Sequence, residues 1–140
     1  MGDSDLERFV AAQDSADTYA AAVRELRHGS KRSHWMWFVF PQIAGLGRSP
    51  TAQHYALEDV AEARAYLAHP VLGARLRVCA QVLAELPTDD PVKVLGPVDA
   101  QKLHSCMTLF LRAAPDEQVF AQVLDKYFGG ALDEGTLSRI

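Results

Sequence analysis

Between Gly29 and Gln42 the chain reads Gly-Ser-Lys-Arg-Ser-His-Trp-Met-Trp-Phe-Val-Phe-Pro-Gln, and this stretch constrains the fold more than any other. Five polar or basic residues, Ser30 to His34, lead into six large apolar ones, Trp35 to Phe40, and then into Pro41. Both tryptophans of the protein lie in it. Side chains of this size either enter the core or wall an aromatic pocket. Trp, Phe and Val suit a pleated sheet, but a strand needs a partner for its backbone N–H and C=O groups. The nearest candidate, Lys93-Val94-Leu95, is too short and is enclosed by prolines and a glycine. The run is therefore expected as a short buried helix, capped by Ser33 and ended before Pro41.

The rest of the chain follows helical spacing. Leu6, Phe9 and Val10 suggest an N-terminal helical turn. Tyr19, Ala22, Val23 and Leu26 suggest a helix with Asp14 or Ser15 as N-cap and Gly29 as its stop. Gly45 to Pro50 reads as a loop and Thr51 to Leu57 as a helical turn. Val60, Ala63 and Leu67 form a helix with Asp59 near its start, ending at His69-Pro70, where His69 is expected to cap carbonyls. Leu72, Leu76, Cys79, Leu83 and Leu86 mark a long amphipathic helix ended by Pro87. Pro97 opens another, with Leu103, Met107, Phe110 and Leu111 on one face, and Pro115-Asp116-Glu117 reads as a further start. Gly129-Gly130 stops that helix, and Asp133 is placed to cap a final turn with Thr136. The expected fold class is all-α: one compact domain, residues 1–140, of about six or seven helices.

Composition excludes several functions. A hydrophobic content of 49% and a charged content of 23% are ordinary for a globular domain. The longest apolar run, Trp35 to Phe40, falls far short of the ~20 residues of a membrane span, so no membrane partner is expected. The acidic N-terminus lacks the apolar region of a signal peptide, and a cytoplasmic location is expected. A net charge of −4 argues against general nucleic-acid binding, and no helix shows a continuous basic face. Cys79 and Cys106 read as buried free thiols. No metal-ligand spacing is present, so neither a metal nor a cofactor is expected.

Two groups of residues bear on chemistry. Lys31, Arg32 and His34 precede the tryptophans, and basic side chains beside free helix N–H groups favour an anion. Trp35 and Trp37 offer planar faces for stacking. In the helix after Pro97, Asp99 and Lys102 are neighbours on a 3.6-residue period, and Ser105 and Cys106 continue that flank. Gln101, His104 and Thr108 fall on the flank beside it, which is expected to face solvent.

Taken together these residues resemble the DUF1810 family, small bacterial proteins of unknown function. The resemblance runs from about Leu6 to Ile140. It is carried by Gly29 with Lys31, by the block from His34 through Gln42, and by Tyr66-Leu67-Ala68-His69-Pro70-Val71-Leu72-Gly73-Ala74-Arg75-Leu76. Further carriers are Asp99 with Lys102-Leu103, Ser105, Met107-Thr108-Leu109-Phe110, Gly130, Asp133 and Thr136-Leu137. Where the family pattern has two serines before the methionine, this chain has Ser105-Cys106, which weakens any essential role for the second hydroxyl. The resemblance implies a mainly helical fold, as in a mycobacterial member of known structure, and no established activity. The layout of Asp-x-x-Lys, a Met-containing helix and a late acidic residue is also similar to the NADAR group of helical N-glycosidases acting on ADP-ribosyl compounds. No residue is carried across from that group.

Two readings of function follow. In the first, a pocket takes a small anionic or nucleotide-like ligand, extended to N-glycosidase-like hydrolysis. There Trp35 or Trp37 stacks a base, Lys31 and Lys102 hold phosphate, Ser105 lines the site, and Asp99 and His34 are the catalytic candidates. In the second, the aromatic core supports a non-enzymatic docking surface, with an exposed apolar patch and a weak homodimer as its mark.

Overall fold

The computed structural model describes residues 5–140, and among them the chain is helical with no strand. The longer helices are α1 (Glu7–Asp14), α2 (Thr18–Arg27), α5 (Val60–Ala68), α6 (Leu72–Glu85), α8 (Pro97–Ala113) and α9 (Gln118–Phe128). Short helices are α3 (Met36–Val39), α4 (Pro50–His54), α7 (Pro91–Leu95) and α10 (Glu134–Leu137). The all-α expectation holds. A single backbone bridge joins Ile43 to Leu57, with Leu57 N–H donating to Gln42 C=O at 2.9 Å.

Helix α8 is the axis of the molecule. It begins on Pro97, which gives up no helical hydrogen bond at that position, and it packs against α5, α7, α9 and α10. Leu103, Cys106, Met107, Leu109 and Phe110 are fully buried. Thr108, expected on a solvent flank, is also fully buried, because α8 is enclosed on that side too. Its hydroxyl is satisfied at both ends, donating to His104 C=O at 2.8 Å and accepting Asp133 N–H at 2.9 Å. Tyr66 stands edge-on to Phe9 at 5.2 Å and beside Phe110 at 5.5 Å, tying α1, α5 and α8 together.

The aromatic run is a single helical turn, as expected, with Trp35, Met36, Val39 and Phe40 at most 2% exposed. Its cap differs from expectation. Trp35 occupies the N-cap position with no side-chain cap, and Ser33 turns away to donate to Glu25 Oε2 at 2.6 Å. Glu25, at the end of α2, is the anchor. Its Oε1 accepts Arg32 N–H at 2.8 Å, Ser33 N–H at 2.9 Å and the Trp35 indole N–H at 2.8 Å. A second anchor is Gln13 of α1, buried, whose Nε2 donates to Phe38 C=O at 2.7 Å. Two polar side chains from α1 and α2 thus satisfy a segment too short to satisfy itself.

At the α5–α6 corner His69 reverses its expected role. Nδ1 accepts the N–H groups of Val71 and Leu72 at 3.1 and 3.3 Å, so it caps the start of α6 rather than the carbonyls of α5. Helix α9 starts at Gln118 rather than Pro115, and Glu117 leaves the helix end to form a two-pronged pair with Arg77 at 2.6 and 2.8 Å. Both cysteines are free and buried, and burial pushes the Cys79 thiol up to about 12. No helix among the described residues is long and apolar enough to cross a membrane.

Candidate functional site

Asp99 lies in the first turn of α8, where the helix dipole favours a carboxylate. Its two oxygens are both taken. Oδ2 meets Lys31 Nζ at 2.9 Å and Oδ1 meets Lys102 Nζ at 3.3 Å. Each ammonium also sits against an indole, Lys31 at 5.1 Å from the Trp35 ring centre and Lys102 at 3.5 Å from that of Trp37. The three charged side chains are 8%, 18% and 17% exposed, so salt screens them less than it screens surface pairs. Two cations against one carboxylate leave a net positive charge at this point of the surface.

Immediately beside it a cleft of about 460 Å³ opens between the loop after the aromatic turn, α8 and the start of α10. Trp37, Gln42, Leu46 and Gly47 form one wall, and Val98, Gln101, Lys102 and Ser105 the other, with Asp133 and Gly135 closing the end. That volume lies within the range of small-molecule sites. Trp37 is half-buried, so part of its surface remains available.

Asp133 is the buried carboxylate of this cleft, at 8% exposure. Oδ2 accepts the Ser105 hydroxyl at 2.9 Å, Thr136 N–H at 3.1 Å and the Thr136 hydroxyl at 2.6 Å. Among the described residues Oδ1 accepts only Gln101 Nε2, at 3.0 Å. Burial by itself would raise this group, but the hydrogen bonds from Thr136, Ser105 and Gln101 outweigh it and hold Asp133 below its ordinary value. It is ionised at neutral pH.

The structure thus brings Trp37, Lys102 and Ser105 into one cleft, with Lys31 and Asp99 in the ion cluster behind Lys102. Two expectations need correction. Trp35 cannot stack a ligand, because its ring is fully buried and its N–H is committed to Glu25. Asp99 is poorly placed as a general base, because each oxygen already faces an ammonium. His34 is exposed and is not among the side chains lining the cleft.

From sequence alone Glu25 and Gln42 have no assigned role and Asp133 reads only as a cap, whereas Gln101 is exposed as expected and in addition reaches Asp133 from the cleft wall. Glu25 had a readable signal, since it shares the apolar stripe of Ala22 and Leu26, where an acid is out of place. For the cleft no such local signal exists, because Gln42 and Gln101 meet only in the folded chain.

A broader hollow of about 950 Å³ borders α1, α4 and α5. Its main cation, Arg8, is engaged with the backbone carbonyls of Asp5, His54 at 2.7 Å and Ala56 at 3.0 Å, and the ring that lines it is the His54 imidazole rather than an indole. The smaller, indole-walled cleft is chemically the better site. Large hydrophobics exposed among the described residues are Val78, Val92, Val98 and Ile140.

Among the described residues, fold and cleft together define a small all-α domain with an indole-walled, partly charged hollow of ligand size. The chain matches over residues 3–140 a family described as a protein of unknown function, DUF1810, and it belongs to that family. It is also similar to the conserved hypothetical protein Rv1873 from Mycobacterium tuberculosis, known from a crystal structure. The two are 48% identical, with a TM-score of 0.92, over 96% of this chain and 94% of that one. Among curated proteins nothing matches the chain.

Proposed function

We propose that this protein binds a small, anionic, nucleotide-like molecule in the cleft between the aromatic turn and α8. One observation supports this reading above the rest: Trp37, Lys102 and Ser105, drawn from segments some sixty positions apart, line a single hollow of ligand size. Lys102 covers one face of the indole, and the other supplies the stacking surface. Lys102 supplies charge, and the Lys31–Asp99–Lys102 cluster holds one cation more than it has carboxylates, which favours an anion at the end of the cleft away from Asp133. Extension to N-glycosidase-like hydrolysis has less support, since Asp99, the carboxylate assigned to activate water, already serves two lysines.

Thermal shift with a panel of nucleotides tests the reading. A true ligand at 100-fold over its dissociation constant should add about 2.7 kcal/mol of stability to the wild type. Trp37→Ala and Lys102→Ala should remain folded, since each removes a half-buried contact worth about 1 kcal/mol, and should lose most of the ligand-induced shift. An unresponsive panel, or a shift retained in both variants, would contradict it.

A further inference from the structure

The two oxygens of Asp133 are used unequally. The cap of α10 employs only Oδ2, which accepts both Thr136 donors and the Ser105 hydroxyl. Among the described residues Oδ1 has one partner, Gln101 Nε2, which comes from an exposed side chain. A carboxylate oxygen accommodates about two hydrogen bonds, so Oδ1 keeps acceptor capacity, and Asp133 is one of the residues that close the cleft. An ionised group there repels phosphate and any other acceptor. It requires a ligand part that donates.

Two features of the cleft favour hydroxyl groups as that donor. An alkyl amine on the ligand would be a cation in the cleft that also holds Lys102, and the two would repel, which favours a neutral donor. The neighbouring amides of Gln42 and Gln101 each present both a donor and an acceptor, as hydroxyls do. Paired hydroxyls on adjacent carbons let one oxygen bond the carboxylate while the other meets an amide. A carboxylate accepting from the ribose hydroxyls is a recurring way of recognising nucleotides.

Building on the nucleotide-like reading above, we infer that Asp133 Oδ1 selects ligands carrying a sugar diol, so that the ligand class is a ribonucleotide rather than a deoxyribonucleotide or a simple organic phosphate. The phosphate lies toward Lys102, the base against Trp37, and the ribose hydroxyls against Asp133. Asp133 is a specificity-determining residue in this scheme, with Gln101 positioning its carboxylate.

Calorimetric titration with nucleoside 5′-monophosphates, their 2′-deoxy and 2′,3′-dideoxy analogues, and inorganic phosphate reads this out. The wild type should bind a ribonucleotide 10- to 100-fold more tightly than the dideoxy analogue, as expected when a charged acceptor loses its donor. Asp133→Asn should reduce that ratio to within about two-fold, because its carboxamide no longer penalises the missing hydroxyl. Since Asp133 also caps α10, a crystal of the wild-type complex gives a second reading that needs no variant. A ribose hydroxyl within hydrogen-bonding distance of Oδ1 supports the assignment, and a ribose turned away overturns it. Equal binding of ribo and dideoxy forms overturns the diol inference while leaving nucleotide binding intact. No binding by any of these nucleotides overturns both.

Discussion

Glu25→Ala is expected to lower stability by about 3 kcal/mol near neutral pH, because it strands buried donors around a carboxylate that accepted them all. The Trp35 indole N–H is fully buried, and the backbone N–H groups of Arg32 and Ser33 have no other acceptor in this turn. Glu25→Gln keeps the shape but offers one acceptor oxygen and an NH₂ that faces donors, so it should recover only part of the loss. The pH dependence has a definite sign. Burial pushes Glu25 up, yet the hydrogen bonds from Ser33, Arg32 and Trp35 prevail and bring it from an ordinary 4.5 to about 2. A carboxylate lowered on folding stabilises the native state above its unfolded value, and that stabilisation is lost as pH falls through the folded one. A shift of this size corresponds to about 3 kcal/mol, the same order as the hydrogen-bond argument. The stability gap between wild type and Glu25→Gln, from denaturant titrations, should stay flat above pH 5. It should shrink between pH 4.5 and about 2. A gap that widens on acidification would refute the anchoring role.

Gly73→Ala is the second large effect, and helix propensity alone gets its sign wrong. Gly73 is the second residue of α6 with ordinary helical backbone, where Ala would be favoured by at most about 1 kcal/mol. A β-carbon there, however, would stand 2.0 Å from Leu67 C=O oxygen and 2.8 Å from Arg77 Nη1. The carbonyl is backbone and cannot rotate aside, so α6 must move away from the end of α5. That displacement breaks the Arg77 contact to Leu67 C=O and disturbs the His69 cap at the same corner. Overpacking of this kind costs about 3 kcal/mol, which outweighs the propensity gain. Gly129→Ala is the control. Its backbone is left-handed (φ 62°) with open space around the added carbon, so only about 1 kcal/mol is expected. If thermal denaturation showed Gly73→Ala to be the milder of the two, the close approach of α5 and α6 would not be as described.

Helical periodicity carried most of the fold because each long helix buries one stripe of its own residues. Leu72 to Leu83 and Val119 to Tyr127 could be read without knowing what they pack against. The aromatic turn was legible by exclusion, since no second strand existed to pair with it. What escaped depended on contacts distant in sequence. Thr108 looked polar and exposed, but α8 is wrapped on several sides and its hydroxyl is absorbed by His104 and Asp133. The two tryptophans looked equivalent because they are two positions apart in a polar-to-apolar junction. Glu25 separates them, drawing Trp35 into the core and leaving Trp37 at the surface. The ion pair of Asp99 and Lys102 followed from spacing alone, whereas Lys31 could not be seen as its third member.

The two indole N–H groups give separate signals in a ¹⁵N–¹H spectrum, one reporting the core anchor and the other the cleft, and Trp37→Phe assigns them. Titrating a binding nucleotide should move the Trp37 signal strongly and saturably while the Trp35 signal, tied to Glu25, stays nearly fixed. Movement of Trp35 with Trp37 unaffected would place the ligand elsewhere and contradict the cleft as the binding site.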